Sequence, residues 1–463
     1  MRIIDNGRDL ILKFWGNPSP RKHSYRLMRY HVSCICERGE ALLNTVTGEL
    51  VLLEKNEKAI INSLPSPYKP EMDDLISHRF LVPDEYDEFA SVNQLRKILR
   101  RLETDYRINT FSILPTSSCN ARCFYCYEAG YPQYSMTDEI ASQVVHYIVG
   151  HCDKEKYVNL HWFGGEPTVE NRIIDLICDK LCEQGIQYRS SMISNGYLFS
   201  KEMVHKAKEK WNLKSIQITL DGTEEIYNRT KSFTNVNDSP FVRVMNNIGY
   251  LLDEGIHVGI RMNLDFYNYD DIKTLINDVT YRFAGKDNFS AYVHELFEGE
   301  GYVPVKHGEA ERRRLIELVQ DLNRYISEQG CRQAGGFNFR KSLPSLRVYY
   351  CMADNPSSVM INPIGQIGKC EHEIFTNLVG DIYHDELDET ENSYWLSPSY
   401  RLRCRLCKLY PFCGRMESCK NESDCLDVQA NFYLKTVEVQ MINSLEHALD
   451  QYKEGQDIEE AYS

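Results

Sequence analysis

Three cysteines close together in the chain, Cys119, Cys123 and Cys126, are the residues best suited to carry chemistry. They follow an apolar, β-branched run at residues 111–114, and their spacing is C-x3-C-x2-C. Soft thiolates suit iron and iron–sulfur assemblies, so three of them on one loop can hold three irons of a four-iron cluster. The fourth iron then lacks a protein ligand, which leaves a position where a substrate or cofactor can bind and accept an electron. Zinc is the alternative, although structural zinc normally takes four protein ligands.

Seven more cysteines lie between residues 351 and 425, in a segment with few long apolar runs. A conventional core cannot organise such a segment, so either zinc or iron–sulfur clusters must do so. The pair Cys404-x2-Cys407, with two later cysteines, would also serve a zinc knuckle. These seven residues are Cys351, Cys370, Cys404, Cys407, Cys413, Cys419 and Cys425. For most of the remaining six cysteines, we expect burial as small apolar residues.

The composition restricts the class of partner and the compartment. The chain has 463 residues, 42% of them apolar, and a net charge of −14 without a basic block. This charge argues against nucleic acid or an anionic membrane as the main partner. No apolar run is long enough to span a bilayer, and the N-terminus lacks the apolar core of a secretory signal. We therefore expect a cytoplasmic protein whose cysteines stay reduced and bind metal.

Strand-like and helix-like segments alternate from residue 108 to about residue 300. The strand-like runs lie at residues 111–114, 158–163, 188–194, 215–221, 257–264 and 290–297. Amphipathic helical segments lie between them, and Thr137 is placed to cap the first of these helices. Six β/α units in succession predict an α/β fold with a parallel sheet curled into a partial barrel. Ligands bind at the carboxyl ends of the strands in such sheets.

Polar residues fall at those strand ends. They are Gly164, Gly165 and Glu166 after the second strand, Ser194 and Asn195 at the third, Thr219 and Asp221 at the fourth, and Arg261 and Asn263 on the fifth. The two glycines allow the backbone to approach a ligand closely. Glu166 is suited to a charge-assisted hydrogen bond with an ammonium group. Arg261 and Asn263 are two residues apart and therefore share one face of their strand.

The cysteine loop and these strand-end motifs together resemble the radical S-adenosylmethionine (SAM) superfamily over residues 108–300. The resemblance implies a partial (β/α)6 barrel, with a [4Fe-4S] cluster on the loop and SAM chelated by its open iron. Glu166 would bind the amino group of SAM, Asp221 would lie near the ribose, and Arg261 would face the carboxylate or sulfonium. The full set implied in cofactor binding is Tyr125, Gly164, Gly165, Glu166, Ser194, Asn195, Thr219, Asp221, Arg261 and Asn263.

The later cysteines resemble the SPASM extension of radical SAM enzymes, which holds two auxiliary [4Fe-4S] clusters. The resemblance assigns Cys351, Cys370 and Cys419 to the first cluster, and it assigns Cys404, Cys407, Cys413 and Cys425 to the second. Five residues separate Cys413 from Cys419 where the family usually has three, so the alternative is that Cys419 and Cys425 exchange places between the two clusters. The first cluster would have one iron open to a substrate thiolate or to Cys331. Glu371 matches a carboxylate that acts as a catalytic base in sulfatase-maturating relatives; the alternative is a solvated acid beside a turn.

The sequence predicts five segments along the chain, beginning with a small N-terminal domain. Residues 1–106 predict a small α+β, winged-helix-like domain, with strand-like runs at 25–37 and 41–53. Such a domain can bind an extended leader peptide at an open sheet edge, or it can merely pack on the barrel. The barrel is expected at 107–310, a helical linker at 311–345, the cysteine-rich auxiliary domain at 346–428 and a final helix at 429–463.

These features predict a radical SAM maturase of a ribosomally made precursor peptide that carries a leader sequence. An electron donor such as flavodoxin or ferredoxin would reduce the cluster, and a thioether from a peptide cysteine is the favoured product. Carbon–carbon cross-linking and epimerisation stay open, as does a sulfatase-maturating enzyme that forms formylglycine. The hypothesis from a different class is a zinc-bearing binding protein without catalysis, which iron and brown colour after anaerobic purification would exclude.

Overall fold

A computed structural model gives the fold of the chain. It describes residues 2–5, 9–15, 24–37, 39–102, 107–234, 236–296, 308–331, 343–384, 386–396, 402–413 and 426–461. The chain forms two compact units. Unit 1 comprises Met1–Asp105, Phe339–Tyr350 and Ser399–Ser463, and unit 2 comprises Tyr106–Asn338 and Cys351–Pro398. The proposed Cys419 and Cys425 ligands lie outside the described residues.

The N-terminal part of unit 1 contains two antiparallel sheets and four helices. One sheet has the strand order β1-β5-β4-β3 and the other has the order β6-β2-β7. The strands are β1 (Arg2–Asp5), β2 (Ser24–Leu27), β3 (His31–Cys36), β4 (Gly39–Asn44), β5 (Leu50–Leu52), β6 (Ser66–Pro67) and β7 (Leu81–Pro83). The helices are α1 (Asp9–Phe14), α2 (Lys55–Asn62), α3 (Asp73–Ser77) and α4 (Glu88–Leu102).

The single strand predicted at residues 25–37 is two strands in different sheets. The chain leaves β2 at Met28, whose amide donates to the carbonyl of Phe80 at 2.8 Å, and it resumes as β3 in the other sheet. The hairpin predicted at residues 41–53 is confirmed, because β4 and β5 pair antiparallel. The turn between them contains Gly48 with a φ of +81°, a backbone conformation that favours glycine.

Unit 2 is built on a nine-stranded sheet with the order β13-β12-β11-β10-β9-β8-β14-β15-β16. The six strands from β8 to β13 are parallel, and helices connect them as predicted, so the partial (β/α)6 barrel is confirmed. These strands are β8 (Thr110–Ile113), β9 (Val158–Trp162), β10 (Tyr188–Ser194), β11 (Leu213–Thr219), β12 (His257–Leu264) and β13 (Phe289–Glu295). The helices are α5 (Asp138–His151), α6 (Asn171–Glu183), α7 (Lys201–Glu209), α8 (Glu224–Lys231), α9 (Pro240–Asp253), α10 (Tyr269–Phe283) and α11 (Glu309–Glu328).

The helices of unit 2 begin and pack as their sequences dictate. The Thr137 hydroxyl accepts a hydrogen bond from the amide of Ile140 at 3.2 Å, which caps α5 as predicted. The apolar faces of the helices cover the sheet, so side chains such as Val144, Ile177 and Ile248 are fully buried in one continuous core. This core fixes the strand ends in place, and the polar motifs occupy those ends.

The remaining strands of unit 2 come from the cysteine-rich segment. They are β14 (Ser358–Ile361), β15 (Gln366–Gly368) and β16 (Gly380–Asp381), and the short helix α12 (Glu389–Leu396) follows them. Strand β14 pairs parallel to β8, with Met360 opposite Ser112, whereas β15 and β16 are antiparallel. The segment that carries Cys370 therefore extends the sheet directly beside the strand that leads into the cysteine loop.

The C-terminal residues return to unit 1 and end in helix α13 (Asp427–Ala461). The core of unit 1 combines side chains far apart in sequence, including Trp15, Leu95, Leu346 and Tyr410. Residues 339–350 and 399–463 thus belong to the same compact unit as residues 1–105. No helix among the described residues has both the length and the apolar content needed to cross a membrane.

Candidate active site at the cysteine loop

The cysteine loop is closed at its base by backbone pairing. Thr116 forms an isolated antiparallel bridge with Ser135, and the Thr116 hydroxyl donates to the carbonyl of Tyr134 at 2.9 Å. The amide of Cys126 donates to the carbonyl of Cys123 at 3.2 Å, which makes a tight turn between two of the cysteines. Because the turn and its base are both hydrogen-bonded, the cysteines are held on a defined loop at the carboxyl end of β8.

The three thiols of this loop are partly buried. Burial and the nearby Glu166 raise the pKa of Cys119 to about 12, and burial also raises the pKa of Cys126 to about 11. Such thiols hold their protons at neutral pH, so only a bound cation would stabilise the thiolates. The free thiols of this loop are therefore poor nucleophiles at neutral pH.

Two glycines bring the end of β9 against the cysteine loop. Gly164 has a φ of +115°, and a Cβ atom there would lie 2.5 Å from the carbonyl oxygen of Thr116. A Cβ atom at Gly165 would lie 2.3 Å from the carbonyl oxygen of Ser118. The amide of Glu166 donates to that same carbonyl at 2.9 Å. These glycines are required for close approach between two backbone segments of the protein itself.

Glu166 is 1% exposed, and its carboxylate accepts four hydrogen bonds from the protein. One oxygen accepts from the Thr168 amide at 3.2 Å, the Thr168 hydroxyl at 2.5 Å and the Ser194 hydroxyl at 2.8 Å. The other oxygen accepts from the Asn195 amide at 2.7 Å. Burial raises the pKa of Glu166, and these hydrogen bonds oppose that rise. The carboxylate thus ties the end of β9 to the end of β10.

Asn195 continues the connection from β10 to the cysteine loop. Its side-chain amide donates to the side-chain oxygen of Asn120 at 2.7 Å and lies 3.9 Å from the sulfur of Cys119. Its side-chain oxygen accepts from the amide of Tyr197 at 3.0 Å. The structure therefore brings Ser194 and Asn195 to the cysteine loop, as the sequence predicted for the strand ends.

Asp221 is the centre of a buried polar network. One of its carboxylate oxygens accepts from the Tyr125 hydroxyl at 2.6 Å and lies 3.0 Å from the ammonium of Lys231. The other accepts from the Asn263 amide at 2.8 Å, and Asn263 in turn accepts from Arg261 at 2.9 Å. The network joins the loop residue Tyr125 to the ends of strands β11 and β12.

Lys231 is the residue of this network that sequence reasoning missed. It is the last residue of α8, 4% exposed, and it donates to the Tyr125 hydroxyl at 2.8 Å. Burial alone would lower the pKa of Lys231, but Asp221, Tyr125 and Cys123 raise it well above the ordinary value. The sequence shows only a lysine in a short polar helix, where a solvated side chain is the default expectation.

Glu371 lies beside strands β8 and β9 in unit 2. Its carboxylate accepts from the Ser112 hydroxyl at 2.6 Å and lies 3.8 Å from the Nε2 atom of His161. The other ring nitrogen of His161 lies 2.8 Å from the hydroxyl of Ser191 on β10. Sequence reasoning named Glu371 but missed this row of partners, since they come from three strands that only the sheet register brings side by side.

The later cysteines are divided between the two units. Cys351 and Cys370 lie in unit 2, where the Ala353 amide points at the sulfur of Cys351 at 3.2 Å. Cys404, Cys407 and Cys413 lie in unit 1, and the amide of Cys407 donates to the carbonyl of Cys404 at 3.2 Å in a turn. Cys331 is buried in the core of unit 2, and burial raises the pKa of its thiol to about 11.

The donor set of the cysteine loop fits a four-iron cluster better than a single ion. Among the described residues, no group of three or more His, Cys, Asp or Glu side chains is placed to hold one metal ion. A [4Fe-4S] cluster binds each thiolate to a different iron, so it does not require the sulfurs to converge on one point. The cysteine loop offers such a donor set: three partly buried thiols on one loop, next to the polar ends of β9, β10 and β11.

The fold and this site define a class: an α/β enzyme with a cysteine loop at the carboxyl ends of a partial barrel. Residues 113–279 match the sequence model of the radical SAM superfamily, so the chain contains a radical SAM domain. Members of this superfamily use SAM and a [4Fe-4S] cluster. The matched residues include the cysteine loop, the glycine pair, Asp221 and Arg261.

Individual proteins are similar to a larger part of the chain. A GTP 3′,8-cyclase of Clostridium perfringens (strain SM101 / Type A) is 24% identical over 293 aligned residues, and the alignment covers 57% of this chain and 81% of the cyclase. The antilisterial bacteriocin subtilosin biosynthesis protein AlbA of Bacillus subtilis (strain 168) is 25% identical over 288 residues, 60% of this chain and 58% of AlbA. The solved structure of native anSMEcpe with bound AdoMet superimposes with a TM-score of 0.54 at 16% identity, covering 74% of this chain and 99% of that one. This last likeness shows the fold alone.

Proposed function

We propose that this protein is a radical SAM maturase that modifies a ribosomally made precursor peptide and forms a thioether from a peptide cysteine. One observation carries the proposal. A cysteine loop bordered by Glu166, Asn195 and Asp221 shares a unit with a second cysteine pair, whose member Cys370 is followed directly by Glu371. The similarity to AlbA, which is named for the biosynthesis of a bacteriocin, supports a peptide as the substrate class.

Thioether formation removes two hydrogens from the peptide, so the site must accept a hydrogen atom, a proton and an electron. When bound at the cysteine loop, SAM and a reduced [4Fe-4S] cluster would supply the radical chemistry that removes a hydrogen atom from carbon and yields 5′-deoxyadenosine. The peptide thiol loses its proton, and the new S–C bond releases one electron. Glu371, which Ser112 orients, would accept the proton, and an auxiliary [4Fe-4S] cluster, if held in part by Cys351 and Cys370, would supply an acceptor for the electron.

The protein residues bind and orient the reactants. In this proposal Glu166, Ser194 and the backbone of the two glycines border the amino acid end of SAM. Thr219, Asp221, Asn195 and Asn263 border the ribose, and Arg261 faces the carboxylate or sulfonium. Tyr125 holds Asp221 against the loop by its hydrogen bond. Cys404, Cys407, Cys413, Cys419 and Cys425 serve the auxiliary clusters in the sets described above, so that two auxiliary clusters and the loop cluster are the proposed cofactors.

Unit 1 offers a place for the leader sequence of the peptide. Strand β3 is at one edge of the four-stranded sheet, and its Ile35 side chain is 83% exposed. An extended peptide can add to such an edge by backbone hydrogen bonds. This arrangement supports a leader-recognition role for residues 1–106. We propose a small electron-donor protein such as flavodoxin or ferredoxin as a separate partner, because the loop cluster must be reduced before it can react.

The test is anaerobic incubation with SAM, a reductant and a small peptide encoded beside the gene. We expect 5′-deoxyadenosine together with a peptide that is lighter by two hydrogens and resists thiol alkylation. The triple variant Cys119→Ala, Cys123→Ala, Cys126→Ala should yield neither product. An aldehyde in the product would support the formylglycine-forming alternative, and an unchanged mass with an inverted residue would support epimerisation. Absence of 5′-deoxyadenosine under every condition would reject the proposal.

A second variant tests the base. Glu371→Gln should leave the formation of 5′-deoxyadenosine within about twofold while the rate of peptide modification falls at least 100-fold, the range of general-base effects. Glu389→Gln, at an exposed glutamate on α12 in the same unit, is the matched control and should change neither rate. If Glu371→Gln modifies the peptide at the parental rate, another group accepts the proton.

A further inference from the structure

Lys231 is a buried cation that no part of the proposed reaction uses. Its ammonium lies 3.0 Å from Asp221 and 2.8 Å from the Tyr125 hydroxyl, and it sits 5.4 Å from the centre of the Tyr125 ring. A buried ion pair is costly to desolvate and adds little net stability over apolar residues of the same size. Its presence at this place therefore calls for a functional explanation.

The backbone of Lys231 also holds the cysteine loop. Its carbonyl accepts the amide of Arg122 at 2.9 Å, and the same oxygen lies 4.0 Å from the sulfur of Cys123. A second backbone contact joins the same two segments, since the amide of Thr234 donates to the carbonyl of Asn120 at 2.9 Å. The end of α8 is thus attached to the cysteine loop by its main chain and to Asp221 by its side chain.

We propose that Lys231 is a positioning residue that holds Tyr125 and Asp221 against the cysteine loop, and that its positive charge favours the reduced form of the cluster bound there. The inference rests on the proposed [4Fe-4S] cluster but not on the peptide substrate. Reduction adds one negative charge next to Cys123. A nearby cation in a poorly solvated site lowers the free energy of that added charge, and net charge is one of the properties that set cluster potentials.

Because Lys231 is paired with Asp221, the proposal predicts that removing either charge shifts the reduction potential in opposite directions. Lys231→Met removes the cation and leaves Asp221 as an unpaired anion near the cluster, so the potential should fall. Asp221→Asn removes the anion and leaves Lys231 unpaired, so the potential should rise. A residue that only stabilised the fold would not produce shifts of opposite sign. The control is Lys206→Met, because Lys206 forms a comparable 3.0 Å ion pair with Asp175 on other helices of the same unit.

The measurement is a redox titration of the anaerobically purified full chain, followed by EPR of the cluster signal that changes when SAM is added to the parent protein. Iron per chain is determined first. We expect an unchanged iron content and at least a tenfold change in the reduction equilibrium for each variant, downward for Lys231→Met and upward for Asp221→Asn. Tenfold corresponds to 59 mV for one electron. Lys206→Met should match the parent.

The affinity for SAM is a second measurement, and it tests whether Lys231 positions Tyr125 and Asp221. The Lys231→Arg variant separates this role from a general failure to fold. By calorimetric titration of the oxidised protein, Lys231→Met should bind SAM at least tenfold more weakly, whereas Lys231→Arg keeps the charge and should recover most of the affinity and the potential.

If Lys231→Met and Asp221→Asn shift the potential in the same direction, or if neither differs from Lys206→Met, the proposal is wrong. Parent protein without iron would overturn this inference and the proposed function together. The expected shifts in potential, observed together with no peptide product, would overturn only the proposed function.

Discussion

At the scale of single residues, the site is built from polar side chains that have already found partners within the protein. Glu166 is hydrogen-bonded by Thr168, Ser194 and Asn195, and Asp221 is bonded by Tyr125, Lys231 and Asn263. Such saturation holds side chains in one rotamer, and each partner that is removed leaves a buried polar group unpaired. The residues predicted to touch SAM therefore also determine the geometry of the strand ends.

Glu166→Gln tests this double role. The new amide places an N–H group where the carboxylate accepted only hydrogen bonds, so at least one buried donor loses its acceptor. We expect a loss of about 2–3 kcal/mol in the free energy of unfolding and weaker binding of SAM. Chemical denaturation and calorimetric titration measure the two effects. Glu170→Gln, at the last residue of the short 3-10 helix Pro167–Glu170 that follows Glu166, is the control and should change stability by less than about 0.5 kcal/mol. Equal stability of both variants would contradict the prediction.

His31 on β3 gives unit 1 a specific dependence on pH. Burial, with a smaller contribution from Lys408, lowers the pKa of His31 to about 4, and its ring hydrogen-bonds the carbonyl of Met28. Because the folded pKa lies below the unfolded value of about 6.5, the unfolded state binds more protons between pH 6.5 and pH 4. Stability is therefore lost as the pH falls through that window, by about 2 kcal/mol between pH 7 and pH 5.

The corresponding measurement compares parent and His31→Gln by chemical denaturation at both pH values. The variant cannot bind the proton, so its stability should fall by about 2 kcal/mol less than that of the parent over the same interval. The difference between the two proteins isolates His31 from other titrating groups. An identical loss in both proteins would show that His31 is not the group responsible.

At the scale of elements, the site depends on how the loop after β8 meets the end of β9. The chain crosses itself there with backbone atoms in contact, and only glycine lacks the Cβ that would prevent it. Strand β14 then pairs with β8 and places Glu371 next to Ser112. The active site is thus organised by contacts between elements more than by any single helix or strand.

Gly165→Ala tests this contact. The added Cβ would lie 2.3 Å from the Ser118 carbonyl oxygen and 2.6 Å from that of Ser117, so the cysteine loop must shift. We expect less iron per chain and at least a tenfold weaker affinity for SAM, measured by iron assay and calorimetric titration. Gly150→Ala, in helix α5, meets no atom within 4 Å and should retain full iron and affinity. Normal cofactor loading in Gly165→Ala would show that the loop tolerates displacement.

At the scale of the whole molecule, the described structure assigns the cysteine-rich segment to both units. Cys351 and Cys370 belong to unit 2, whereas Cys404, Cys407 and Cys413 belong to unit 1 together with residues 1–105. Arg96 on α4 joins these parts of unit 1. It is 2% exposed and donates to the carbonyls of Arg347, Tyr410 and Pro411 at 3.0, 2.8 and 2.9 Å.

Arg96→Met should therefore affect the distant cysteines of unit 1. Three buried carbonyls lose their donor, and the stacking of the guanidinium on Tyr410 is lost as well. We expect a destabilisation of about 3 kcal/mol and fewer irons per chain, with the SAM-dependent EPR signal retained. Denaturation, iron analysis and EPR measure these quantities. Lys97→Met, at an exposed position on the same helix, should leave all three unchanged. Loss of the SAM-dependent signal alone would contradict this assignment.

The sequence by itself determined the cysteine loop, the six parallel strands and the motifs at their ends. These follow from local spacing and hydrophobic periodicity, which act over a few neighbouring residues and can be seen in the chain directly. The start of α5 after Thr137 and the hairpin of β4 and β5 were predictable for the same reason. The bounds of β10 and β12 also agree with the predicted residues.

Only the tertiary structure decided which residues complete the site. Lys231 joins Asp221, His161 faces Glu371, and β14 pairs with β8 because strand register and helix packing bring together residues far apart in sequence. The break at Met28 depends on its hydrogen bond to Phe80, which no local pattern encodes. Residue spacing in the sequence does not reveal long-range contacts of this kind, because their energy comes from burial and hydrogen bonding that exist only once the chain has folded.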